Sequence, residues 1–173
     1  MLVCAAHYLI LSLIALLGCF ISMAGLWQRS AVFLLSAMAI VWVADIGAYF
    51  AGRSFGKRKL APSISPGKTW EGVAGGLLAV LLLAAMATQL PETFQAQLLA
   101  RYGWLKWALL LGLFVAASVV GDLFESMLKR RVEVKDSSSL LPGHGGVLDR
   151  IDALVPTMPL AFLLAAQMPL SVS

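Results

Sequence analysis

The sequence predicts an all-α fold: a polytopic bundle of about five transmembrane helices with two basic loops on one side. Composition is the first observation behind this. Of 173 residues, 60% are hydrophobic and 13% charged, and the mean hydropathy is +0.88. A soluble domain is about 45–50% apolar and about 25% charged, so soluble and disordered classes are excluded. The second observation is segmentation. Apolar residues gather at roughly 8–26, 31–51, 73–90, 107–124 and 151–168, each near the ~20 residues that cross a bilayer. The third is charge placement. Of 13 basic residues, five (Arg53, Lys57, Arg58, Lys59, Lys68) fall in 52–72 and five (Lys129, Arg130, Arg131, Lys135, Arg150) in 125–150.

Five spans use about 100 residues and leave about 70 for connections. Residues 1–173 therefore read as one integral membrane domain with no separate soluble unit. No basic region precedes stretch 8–26 and no small-residue cleavage site clearly follows it, so it reads as a span rather than a signal peptide. Cys4 and Cys19 are 15 residues apart with no CxxC spacing, and read as small core residues. His7 lies in apolar surroundings and is assigned no role. The short turn 27–30 leads to span 31–51, which carries Asp45 about two turns from its end. A charge at a span's centre costs about 2.5–3.5 kcal/mol, so such residues usually face the bundle interior and serve function.

Connection 52–72 combines its five cations with Ser65-Pro66-Gly67-Lys68-Thr69-Trp70-Glu71-Gly72. Gly67-Lys68-Thr69 stops short of a P-loop, because Pro62 stands where its first glycine is required. Gly72 and Gly76 open span 73–90 with a spacing suited to close helix packing. Connection 91–106 reads as a loop, and Trp27, Trp104 and Trp107 suit interfacial anchors. With five spans, 52–72 and 125–150 share one side. The positive-inside rule makes that side cytoplasmic, with the N-terminus inside and the C-terminus outside.

Span 107–124 ends in acids. Asp122, Glu125, Ser126 and Lys129 follow i, i+3, i+4, i+7 and share one helix face. Asp149 and Asp152 open the last span at i, i+3, where the helix dipole favours anions. If these spans pack side by side, Asp122 and Asp149 meet at the boundary, where a cation or proton must join them. Oxygen ligands with no cysteine cluster point to Mg2+ rather than zinc. Glu125 also reads as a solvated helix-end charge, Asp152 as a first-turn acid and Asp136 as a turn residue. Between the acids, Pro142-Gly143-His144-Gly145-Gly146 forms a turn whose backbone can approach phosphate. Lys129, Arg130, Lys135 and Arg150 surround it.

The run Ser126-x-Leu128-Lys129-Arg130-x4-Lys135-Asp136-x-Ser138-x2-Leu141-Pro142-x-His144-Gly145-Gly146-Val147-x-Asp149-Arg150-Ile151-Asp152 resembles the signature of phosphatidate cytidylyltransferases, or CDP-diglyceride synthases, without departure. The stretch from Ser65 to Gly72 and the set Ala44-Asp45 with Gly52-Arg53 are similar to that family too, so the resemblance covers about 41–159. Family members are usually longer, with further spans ahead of this region. The resemblance implies transfer of a cytidylyl group from CTP to phosphatidate, giving CDP-diacylglycerol and pyrophosphate for phospholipid synthesis. It implies an enzyme in a bacterial inner membrane with its site facing the cytoplasm, a homodimer, and no nucleic-acid partner. Asp122 and Asp149 are then expected to hold Mg2+. Lys129, Arg130 and Lys135 are expected in catalysis through the triphosphate or lipid phosphate. Asp45, Lys68, Thr69, Glu71, Ser126, His144, Gly145, Gly146 and Arg150 are expected to shape substrate binding. Two alternatives stand beside this: an ion or solute transporter, suggested by Asp45, and a truncated inactive membrane subunit of the same family. A transporter should carry midplane charges and repeats, whereas these charges cluster at one face and no repeat is found.

Overall fold

The computed structural model describes the backbone of residues 2–131 and 151–168, and side chains from Leu11 onward within them. Among the described residues, five helices and one hairpin follow in chain order: α1 (Leu2–Trp27), α2 (Ala31–Phe55), β1 (Lys59–Ala61), β2 (Ser65–Thr69), α3 (Trp70–Ala87), α4 (Phe94–Arg131) and α5 (Leu154–Ala165). Helices α2, α3 and α4 are long and apolar enough to cross a membrane, and the stretch Leu11–Trp27 of α1 and the short helix α5 are apolar as well. The molecule is an all-α membrane bundle, with Leu13, Leu17, Phe20, Leu82 and Leu109 turned outward as a lipid-facing surface requires.

Local chemistry sets the helix starts. Ser30 caps α2 by accepting from the Phe33 amide at 3.0 Å, and Thr69 caps α3 by accepting from the Gly72 amide at 3.1 Å. Between them, 52–72 is not a plain loop. Lys59 pairs with Thr69 and Ala61 with Ser65 in an antiparallel hairpin. Its turn is closed by the Ile64 amide donating to Ala61 at 3.1 Å, with Pro62 at the position that favours its fixed φ.

Helices α2 and α3 touch through small residues. A Cβ on Gly76 would lie 2.6 Å from the Ala44 carbonyl oxygen, and one on Gly72 would lie 2.9 Å from that of Ala48. A Cβ on Gly47 would lie 2.7 Å from Ala79, and one on Gly75 would collide with Ala51. Close approach of this kind drives association where lipid removes the hydrophobic difference between helices. It joins the helix bearing Asp45 to the one that follows Lys68 and Thr69.

Helix α4 reaches further than the apolar run suggested. It starts at Phe94, inside the expected loop 91–106, and breaks at Gly103, whose φ of 73° and ψ of 167° suit only glycine. The leading piece is held by polar contacts. The Phe94 amide donates to Ser36 Oγ at 2.9 Å, Gln95 Nε2 to the Ser36 carbonyl at 2.7 Å, and Trp107 Nε1 to the Gln95 carbonyl at 3.1 Å. Phe33, Phe94 and Phe114 meet edge to face at 5.5 and 5.6 Å in the core. Gly103→Ala is expected to cost about 1–3 kcal/mol through backbone strain, read as a lower midpoint of thermal unfolding in detergent.

The two ends of the bundle differ. At one, Arg29 donates to the carbonyls of Ala165 and Met168 at 2.5 and 3.0 Å, and Arg101 to that of Gln167 at 3.1 Å. This end gathers the C-terminal ends of α1 and α5 and the region around the α4 break. At the other, the C-terminal end of α4 meets the start of α5. A Cβ on Gly121 would lie 2.8 Å from both the Asp152 carbonyl oxygen and Pro156 Cγ. From Trp104 onward, α4 is about 40 Å long against a hydrocarbon core of about 30 Å. Its last turns, from about Asp122 to Arg131, therefore reach the polar boundary.

Candidate active site

The second end holds a cavity of about 1060 Å³ between α2, the hairpin, α3, α4 and the start of α5. Four acids line it: Asp45, Asp122, Glu125 and Asp152. Four cations line it as well: Arg53, Lys59, Lys68 and Lys129. Trp42, Ile46, Tyr49, Val73 and Val119 supply an apolar part of the wall. Trp42, Ile46 and Tyr49 are also exposed along α2, so the cavity borders the lipid-facing surface.

Helix spacing builds the α4 wall. Ser118, Asp122, Glu125 and Lys129 lie on successive turns of one face. Ser118 Oγ donates to Asp45 Oδ1 at 3.4 Å, which ties α4 to the acid on α2. Ser126 Oγ donates to Asp122 Oδ1 at 3.3 Å. Lys129 Nζ lies 3.3 Å from Glu125 Oε2. From the hairpin, Lys68 Nζ reaches Asp122 Oδ2 at 2.5 Å and donates to the Val119 carbonyl at 3.5 Å. Just ahead of α5, Asp152 accepts the Ala153 amide on Oδ1 at 2.7 Å.

Of the residues the sequence marks, Asp45, Lys68, Thr69, Asp122 and Lys129 line this cavity. Thr69 is buried and its hydroxyl oxygen caps α3, so it shapes the wall. Glu71 sits behind the wall, where its carboxylate accepts the Lys57 amide at 3.1 Å and the Arg58 amide at 3.1–3.2 Å. It pins the entry to the hairpin. Ser126 orients Asp122, and Arg130 Nε donates to the hairpin carbonyl of Ile64 at 3.5 Å. Lys135, His144, Gly145, Gly146, Asp149 and Arg150 lie outside the described residues.

Arg53, Lys59 and Tyr49 join the cavity without having been singled out as site residues. Arg53 donates to Tyr49 Oη at 2.9 Å. A signal for them was present: Asp45, Tyr49 and Arg53 run i, i+4, i+8 along one face of α2. The cavity's described lining contains oxygen donors and cations but no Cys or His. Among the described residues, no three His, Cys, Asp or Glu side chains form a ready-made metal cluster.

The family model described as the cytidylyltransferase family matches residues 1–168. This chain belongs to the cytidylyltransferase family. It is 53% identical to the phosphatidate cytidylyltransferase of Haemophilus influenzae over 126 residues, 73% of this chain and 43% of that protein. It is 52% identical to that of Pseudomonas aeruginosa over 134 residues, 77% of this chain and 47% of the relative. Against that of Bacillus subtilis it is 46% identical over 150 residues, 85% and 52% of the two chains. The chain thus spans about half the length of the curated relatives it matches. In this cytidylyltransferase-family chain the matched region includes every described element of the cavity.

Proposed function

We propose that the cavity transfers a cytidylyl group from CTP to phosphatidate, giving CDP-diacylglycerol and pyrophosphate. The observation that carries this is one cavity at the polar end of a membrane bundle, lined by four acids and four cations and bordered by lipid-facing apolar side chains. Its volume reaches the upper range of ligand pockets, about 300–1,000 Å³, which suits a nucleotide with a lipid headgroup. The family and the names of its relatives support the same reading.

The attacking atom is a phosphate monoester oxygen of the lipid. Its second pKa is near 6, so it is largely a dianion at pH 7 and needs little help from a general base. It bonds to the α-phosphorus of CTP as the bond to the β-phosphate's bridging oxygen breaks, and pyrophosphate leaves. The obstacle is repulsion between two polyanions, so positioned cations are the chemistry required. Lys68 and Lys129 face the triphosphate side. Arg53, which donates to Tyr49, and Lys59 face the lipid side. Asp45, fixed by Ser118, shapes the depth of the cavity.

Mg2+ fits the oxygen-only donor set, because it takes one or two protein carboxylates and fills its other positions with water and phosphate. Asp122 is the cavity residue that would hold it, together with Asp149 as the sequence expects. Bound there, the ion would neutralise triphosphate charge and favour departure of pyrophosphate. The same proposal places the cavity at the cytoplasmic face of a bacterial inner membrane and the chain in a homodimer.

The test is pyrophosphate release by the purified chain in detergent. It is expected only with CTP, phosphatidate and Mg2+ together, and release independent of phosphatidate would contradict the reading. Sidedness is checked by cysteine labelling in a background without Cys4 and Cys19. Lys57→Cys and Ser137→Cys are expected to react from the cytoplasmic side, and Gln28→Cys from the opposite side.

A further inference from the structure

Lys68 already holds the carboxylate oxygen of Asp122 that a divalent ion bound there would need. Lys68 Nζ sits 2.5 Å from Asp122 Oδ2, and the other carboxylate oxygen already accepts from Ser126. Magnesium bonds oxygen at about 2.0–2.1 Å. An ammonium and a dication sharing that oxygen would be close enough to repel strongly, with little water between them. The ammonium is also held by the Val119 carbonyl at 3.5 Å, and only 22% of the Lys68 side chain is exposed.

We propose that Lys68 is an internal counter-cation of Asp122 that an incoming divalent ion displaces, and that the displaced ammonium then serves the phosphates in the same cavity. The hairpin keeps Lys68 at hand. Thr69, its neighbour, is locked as the cap of α3, and Glu71 and Arg130 fasten the hairpin at its entry and its turn. Displacement therefore moves a side chain, not the strand. The ion alone binds against the lysine, whereas an ion arriving with phosphate gives the lysine a new partner. Lys68 is in this way a positioning residue for the metal and a contact for the nucleotide.

The inference rests on the proposed metal role of Asp122, and the experiment separates the two. Mn2+, a hard divalent probe, is titrated into the full chain in detergent, and free Mn2+ is read by electron paramagnetic resonance. Asp122→Asn is expected to weaken binding, and unchanged binding would overturn both the metal role and this inference. Lys68→Met is expected to bind Mn2+ about three- to tenfold more tightly, the range a partly exposed ion pair can hold back. Lys68→Arg, which keeps the charge, is expected to show no such gain. Weakened Asp122→Asn with no gain in Lys68→Met overturns the displacement alone. The wild-type chain supplies a second measurement that is independent of variant folding. Saturating Mn2+ is expected to raise the modification of Lys68 by an amine-reactive reagent several-fold, followed by mass spectrometry. Unchanged modification would overturn the inference.

Discussion

Asp122→Asn is expected to lower cytidylyl transfer by about a hundredfold or more, the scale set by removing a charge that organises a phosphoryl-transfer site. The substitution keeps the shape of the side chain and its hydrogen bond with Ser126. It removes the charge that meets Lys68 and that would hold Mg2+. The Asp122 side chain is 35% exposed, so the lost ion pair should cost at most about 1 kcal/mol of stability. Activity should therefore fall far while the unfolding midpoint barely moves. Asp149→Asn is expected to match it in activity. Wild-type rates in both variants would contradict the metal assignment.

Gly76→Val is the second large effect, and it acts on folding. The added Cβ would meet the Ala44 carbonyl oxygen at 2.6 Å and the Ala48 side chain at 3.3 Å. A carbonyl oxygen in a helix cannot swing aside, so α2 and α3 must separate. Overpacking of this kind costs about 1–3 kcal/mol, and a rigid backbone neighbour places it at the upper end. Gly112 provides the contrast, because a Cβ there meets nothing within 4 Å. Gly112→Ala should leave the midpoint unchanged or raise it slightly, since alanine is the better helix former. Thermal unfolding in detergent, followed by tryptophan fluorescence, reads both. Equal midpoints for the two variants would show that the α2–α3 contact contributes little.

Much of this architecture was legible in the residues, for physical reasons. Long apolar runs have few fates in water, and five of them marked the helices. Paired basic loops marked the polar end. The spacing of Asp122, Glu125, Ser126 and Lys129 marked one face of α4, and that face now forms a wall of the cavity. Gly72 and Gly76 marked the close approach of α3, which the backbone contacts with Ala48 and Ala44 display.

Other features depend on contacts distant in sequence. The hairpin carries Pro62, Pro66 and Gly67 and lacks the alternating apolar pattern of a strand. Glu71 and Arg130 hold it from outside. The first turns of α4 look polar because Gln95 and Gln97 interrupt the apolar pattern, yet Gln95 is buried through its bonds to Ser36 and Trp107. Arg53 and Lys59 drew no site role from the sequence because a positive-inside count treats every loop cation alike. Asp152 looked like an ordinary first-turn acid. Only the packing of α5 on Gly121 turns it into the cavity beside Asp122.

The proposed reaction joins the α-phosphorus of CTP to a membrane lipid. The most direct measurement follows that atom. The chain is placed in phospholipid nanodiscs with phosphatidate and Mg2+, and given CTP radiolabelled at either the α- or the γ-phosphorus. The α-label is predicted to enter the chloroform phase as CDP-diacylglycerol, and the γ-label to stay in water as pyrophosphate. A γ-label in the lipid, or no label from either position, would contradict the claim.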